Sequence, residues 1–312
     1  MFLTKIKVSI TKLILPLLYG ILKLLKTNTR VINYLIDKKD KANNSYDFQS
    51  FINQLLHEKK MIALDVGAQG GFNSDKFFPE KYNKFFKTIL VDPFKDSLEN
   101  EKNKFIIKTG LWSSKTNRKL NVLNKRPQSS SMYEPDKRSL EIYGFKERDF
   151  HLFDVSKTEV VECDTLSSSL KKLSVNTLDY LKIDTQGAEL EVLKGLEGYR
   201  PIMIKCEIQI FPMYKDMPKW TEVADFLYDL NYILSDWKKI GSHATKAPAE
   251  MDMVFLPNFL TDSGKKLIFQ KEKEFISLML MTGQINLLKK ISKILNLGYR
   301  NIYKNLEDKY FN

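Results

Sequence analysis

Cysteine and histidine are scarce in this 312-residue chain, with two of the first and three of the second. Cys163 and Cys206 each sit in an apolar, strand-like run (VVEC and IMIKCEI). Two such residues exclude a disulfide scaffold or a zinc knuckle and read as small buried thiols of a reducing compartment. The histidines are far apart and none is spaced with an acid as a metal ligand, so no metal site is indicated. Carboxylates converging on magnesium at strand ends are the one alternative. Internal repeats, low-complexity linkers, a G-x-G-x-x-G fingerprint and a G-K-[ST] phosphate loop are all missing. The N-terminal apolar stretch 13–25 is interrupted by Pro16, Gly20 and Lys23 and falls short of the ~20 residues that span a bilayer. Basic residues precede it, as in a signal peptide, but no small-x-small cleavage site follows. It reads instead as an interfacial amphipathic helix or as a helix packed on the main domain.

Hydrophobic residues at 43% and charged residues at 28% are the balance of a packed globular protein. The formal net charge is +12, and it is unevenly placed. Residues 1–40 carry +6 and residues 261–312 carry +5, which leaves +1 for the central 220. A basic chain invites a nucleic-acid reading, but here the two ends alone explain the charge.

Strand and helix patterns alternate through the centre. Met61–Val66 is a short apolar run ending in Gly67-Ala-Gln-Gly-Gly71, a buried strand and glycine turn. A helix is expected to follow, with its free N–H groups turned to an anionic group. Further strands are expected at 87–92, 104–109, 158–163, 178–184, 201–208, 232–235 and 251–256, the last two as a pair. Helices are expected at 166–173, 186–195 and 218–230, and the tail after 261 reads as helical and basic. The polar segment 112–160 reads as a long insertion with a hairpin at Lys119–Leu123. Such alternation implies a doubly wound, mostly parallel sheet. The domain reading is an N-terminal helical extension (1–55), a central domain (56–260) and a C-terminal helical extension (261–312).

Three features fall at strand ends, where open α/β sheets bind ligands. The first is the glycine turn, which lets backbone pass close to a ligand. The second is Asp92, 25 residues after Gly67, placed to accept ribose hydroxyls or else simply a turn acid. The third is the run from Leu181 to Gly195, LKIDTQGAELEVLKG, with Asp184 at the mouth of a neighbouring strand. Of Glu189 and Glu191, one is expected to face the sheet edge and the other solvent.

LDVGAQGGF (64–72), VDPF (91–94), SSSMYEPD (129–136), LKIDTQGAELEVLKG (181–195), CEIQIFPMYKDMP (206–218) and MDMVFLP (251–257) occur in this order. Together they make the segment from about 61 to 256 resemble the FkbM family of S-adenosylmethionine-dependent methyltransferases. The resemblance implies the class I methyltransferase (Rossmann-like) fold: a seven-stranded, mostly parallel sheet whose last strand is antiparallel, with helices on both faces. It implies S-adenosyl-L-methionine as cofactor, with Asp65, Gly67, Ala68 and Gly71 at the methionine end. Asp92 and Pro93 would lie at the ribose, Leu111 and Trp112 near the adenine, and Asp184 at the amino group. Many family members carry Glu where this chain has Asp92, and Asn where it has Gln69.

Methyl transfer needs alignment above all, and a hydroxyl acceptor gains from a general base. Asp184, then Glu207, then His243 are the candidates for that base or for orienting the acceptor. Ser130, Ser131, Gln186, Phe211 and Tyr214 are the candidate acceptor-side residues, against a bland reading as loop and core. The family favours hydroxyl acceptors on sugars, surface polysaccharides or other natural products. A nucleic-acid methyltransferase using the basic ends is disfavoured, because Asp-Thr-Gln-Gly stands where Asn/Asp-Pro-Pro-Tyr is usual. A non-catalytic nucleoside-binding protein is a third reading, and a nicotinamide-dependent oxidoreductase meets the wrong glycine spacing. The basic ends suit peripheral contact with the inner face of a membrane by a cytoplasmic protein.

Overall fold

The computed structural model describes residues 47–93, 104–240 and 248–297. Ten strands occur among them: β1 Met61–Val66, β2 Phe86–Val91, β3 Lys104–Ile107, β4 Gly110–Leu111, β5 Thr116–Val122, β6 Lys157–Asp164, β7 Tyr180–Ile183, β8 Met203–Gln209, β9 Tyr232–Ile240 and β10 Glu250–Pro257. The α-helices are α1 Gln49–Leu56, α2 Leu166–Lys172, α3 Glu189–Lys194, α4 Trp220–Asp229, α5 Asp262–Gln270, α6 Glu272–Met281 and α7 Ile285–Leu295. The chain forms two compact units. Residues 60–74 and 84–271 make the larger; the rest, including 75–83 and the residues from 272 on, belong to the smaller.

The larger unit holds a seven-stranded sheet in the order β3-β2-β1-β7-β8-β10-β9. The sheet is mixed: β10 runs antiparallel to β8 and β9, and the pairs among β3, β2, β1, β7 and β8 are parallel. Period-two alternation sorts the side chains onto two faces. One face buries Leu64, Val66, Ile89, Val91, Leu181, Ile183, Ile204, Cys206 and Ile208 against α2, α3 and α4. The other carries a polar row. Register sets Asp65 beside Lys182 and Lys182 beside Lys205, then Glu207 beside Asp252 and Gln209 beside Glu250. Lys205 and Asp252 form an ion pair at 2.7 Å, and Lys205 is almost wholly buried. Removing one partner of such a pair strands a charge, which costs about 3–5 kcal/mol.

Two expectations need correction. No α-helix follows the glycine turn. Residues 72–75 are a turn, 76–79 are bend and irregular backbone, and Glu80–Phe85 is a 3-10 helix. Asn73 and Lys76 take left-handed φ angles (56° and 54°) and Pro79 follows, each interrupting helical propagation. Nor is there a hairpin at 119–123. That segment is β5, which pairs antiparallel with the distant β6, and β4 joins on the other side to make a second, three-stranded sheet.

In the smaller unit α1 packs on α6, which also packs on α7. Lys59 pairs with Glu274 at 3.1 Å, and the Phe48 N–H donates to the Tyr82 hydroxyl at 3.2 Å. In α6 every residue from Glu274 to Met281 is buried. It is therefore a core helix rather than one with a solvated basic face. In α7, by contrast, Ile285, Leu288, Ile291 and Leu295 are buried while Lys290 and Lys293 are exposed.

Candidate active site

The turn after β1 is threaded between its neighbours. The Gly67 and Ala68 N–H groups donate to the Val91 carbonyl of β2 at 3.0 and 3.3 Å. On the other side the Asp184 N–H donates to the Val66 carbonyl at 3.0 Å. Gly67 has φ +79°, and a Cβ there would fall 1.8 Å from the Asp184 carbonyl oxygen. Only glycine fits. Gly71 also has a positive φ, +87°, but a Cβ there meets nothing within 4 Å, so the turn is open on that side. Asp65 lies beneath, fully buried, with the Lys182 ammonium 3.2 Å from its carboxylate. The same ammonium is 3.7 Å from Asp184. Asp92 follows β2, its N–H on the Ile107 carbonyl of β3 at 3.2 Å, and both it and Pro93 are half-buried. Asp65, Gly67, Ala68, Asp92 and Asp184 thus come from three adjacent strand ends.

Leu111 ends β4 of the second sheet, Trp112 follows it, and both are buried. The Arg118 guanidinium lies 4.2 Å from the Trp112 ring centroid, and Tyr133 is 6.0 Å away on a tilt. Trp112 is therefore a packing residue of a small core with Leu120, Val161 and Cys163.

The acidic side of the site is built around Thr185-Gln-Gly187. Gln186 and Gly187 take φ angles of 56° and 106°, so α3 begins only at Glu189 rather than at Gln186. The buried Glu189 carboxylate accepts the Thr185 N–H (3.0 Å), the Thr185 hydroxyl (3.0 Å) and the Gly187 N–H (3.1 Å). Glu191 faces outward to Ser113 and Lys194. The Gln186 amide donates to Asp184 at 2.9 Å and to Glu207 at 3.3 Å. Tyr214, buried, shares its hydroxyl proton between Gln186 Oε1 (2.8 Å) and the Ser129 carbonyl (2.9 Å). Ser131 donates to the Gln186 carbonyl at 2.6 Å. Ser130 accepts the Leu123 N–H at 3.1 Å. Ser131 thus supports the turn directly and Ser129 through Tyr214, while Ser130 braces the segment at Leu123. The Phe211 carbonyl accepts the Tyr143 hydroxyl at 2.6 Å. His243 lies outside the described residues.

Burial, then the charges of Asp184, Glu250 and Asp252, push Glu207 up to about 9, with Lys205 opposing. Burial and Asp184 push Glu250 up to about 7, against Arg126. Burial also lifts Glu189 to about 7, against its N–H donors. Their surroundings thus disfavour the ionised form of all three carboxyls, of Glu207 most. Sequence reasoning missed Glu250 and Tyr143. Because β10 runs antiparallel, its first residue reaches the edge where the parallel strands end, and no local pattern announces that. Among the described residues no three His, Cys, Asp or Glu side chains are grouped to hold a metal ion.

Among protein families, the model of the methyltransferase FkbM domain matches residues 65–234, from Asp65 at the glycine turn into β9. No curated protein matches the chain.

Proposed function

Since the chain belongs to the FkbM methyltransferase family, we propose that it uses S-adenosylmethionine to methylate a hydroxyl group. The acceptor we favour is a sugar, a polysaccharide unit or a similar neutral natural product. The carrying observation is Asp184: its backbone abuts the glycine turn, and its carboxylate is linked through Gln186 to Glu207. The open side of Gly71 and the carboxylate ending β2 fit the cofactor's methionine and ribose ends. Gly67, Ala68 and Gly71 would hold the methionine portion, with Asp65 bracing the loop. Asp92 and Pro93 would hold the ribose, and Leu111 with the backbone at Trp112 the adenine. When bound, the cofactor supplies an electrophilic methyl group on a sulfonium.

The protein's own part is to align the acceptor oxygen and take its proton. Asp184 is the group we assign to take that proton, with Glu207, linked to it through Gln186, helping to align the acceptor. The described residues contain no helix long and apolar enough to cross a membrane. The basic ends support peripheral contact with an anionic surface.

Calorimetry with S-adenosylhomocysteine and, separately, NAD tests the cofactor. Binding of NAD alone defeats the reading. Asp92→Ala should weaken S-adenosylhomocysteine binding by roughly 10–100-fold, the loss of charge-assisted hydrogen bonds. Asp184→Asn should lower turnover with a smaller loss of binding. Labelled S-adenosylmethionine incubated with cell extract, followed by mass spectrometry for a gain of one CH₂, identifies the acceptor.

A further inference from the structure

Gln186 is a non-glycine residue in a left-handed conformation, φ 56°, at the centre of the site. Such residues cost of order 1–3 kcal/mol and persist where the surroundings impose them. Here the surroundings do so from three directions. Glu189 gathers the N–H groups on either side of the residue, Ser131 binds its carbonyl, and Tyr214 binds its side-chain oxygen. The product of this restraint is the placement of one NH₂ group between two carboxyls, 2.9 Å from Asp184 and 3.3 Å from Glu207. The reverse amide orientation would set an oxygen against both acids, tolerable only with a proton on each.

We propose that Gln186 is a positioning residue: oriented by Tyr214 and by the turn around it, its amide holds the Asp184 and Glu207 carboxyls as one acid–base pair for a hydroxyl acceptor. The pairing rests on the methyltransferase reading for what it acts on. Its geometry does not depend on that reading. Several groups face Glu207: Asp184 beyond β7, Glu250 and Asp252 on β10, and Lys205 on its own strand, with the Tyr143 hydroxyl bridging the Phe211 and Ala249 carbonyls nearby. Glu207, pushed up to about 9 in that company, keeps its proton at neutral pH and so has a hydrogen to offer. Asp184 is left to accept the proton of the acceptor hydroxyl.

The test needs neither cofactor nor acceptor. In the full chain labelled with ¹³Cδ-glutamate, the Glu207 carboxyl is followed by NMR against pH and assigned by its absence in Glu207→Gln. Tyr214→Phe touches neither acid but frees the amide to turn. Losing a donor to the charged form should raise the Glu207 midpoint by roughly half a pH unit or more. Gln186→Asn, which withdraws the amide by one methylene, should raise it as well and serves if Tyr214→Phe does not fold. A midpoint that stays in place in the folded variants would overturn the proposal. So would one that falls, since that places the amide oxygen against the acids. Failure to bind S-adenosylhomocysteine would instead overturn the methyltransferase reading and leave the titration intact.

Discussion

Gly67 and Gly71 differ in what a methyl group at each would meet. Gly67→Ala drives a Cβ into the Asp184 carbonyl at a positive φ. It should cost at least about 3 kcal/mol, a fall in melting temperature of roughly 5–10 °C. Gly71→Ala meets nothing, so it should cost only about 1 kcal/mol of conformational strain while blocking the ligand side of the turn. Thermal melts alongside calorimetry separate the two effects. The raised carboxyls make a second residue-scale prediction. Folded Glu189 and Glu250 keep their protons to about pH 7, and Glu207 to about pH 9, whereas the unfolded chain releases them near 4.5. Between those values the folded state binds more protons. Their contribution is therefore full below the unfolded value and lost as pH rises through the folded ones. Urea unfolding should show stability falling from about pH 5 to pH 9, with Glu207→Gln flattening the upper half of that fall.

At the scale of elements, the strands were legible where both faces or one whole face is apolar. β1, β2, β7, β8 and β10 all fall within a few residues of the runs that announce them. The helix expected after the glycine turn was not formed, because Asn73 and Lys76 adopt left-handed angles that a periodicity count does not register. β5 was misread as half of a hairpin because its partner, β6, lies some 40 residues along the chain and a strand pattern does not name its partner. The described part of the tail, residues 262–297, is helical as expected, yet α6 is buried around its whole circumference. Leu278→Ala should therefore destabilise the smaller unit by about 2–5 kcal/mol in denaturant unfolding, the cost of a core cavity. A surface helix would lose within about 0.5 kcal/mol.

For the whole molecule, charge and sheet order decide different matters. The +12 resides in the two ends, while the centre is nearly neutral. The full chain should therefore bind vesicles containing anionic lipid, less so in high salt. Removal of residues 1–27 should abolish that binding in a flotation assay. Unchanged binding would locate the contact elsewhere. The sequence by itself determined the alternation of strands and helices, the glycine turn, the acids at strand ends and the family, because each is a local pattern of a few adjacent residues. Only the tertiary structure decided that Glu250 from an antiparallel strand joins Asp184 and Glu207. The same holds for Trp112, packed under Arg118, and for Gln186 standing between two carboxyls. Those facts depend on register and on contacts across the sheet, between residues whose separation along the chain carries no information about their separation in space.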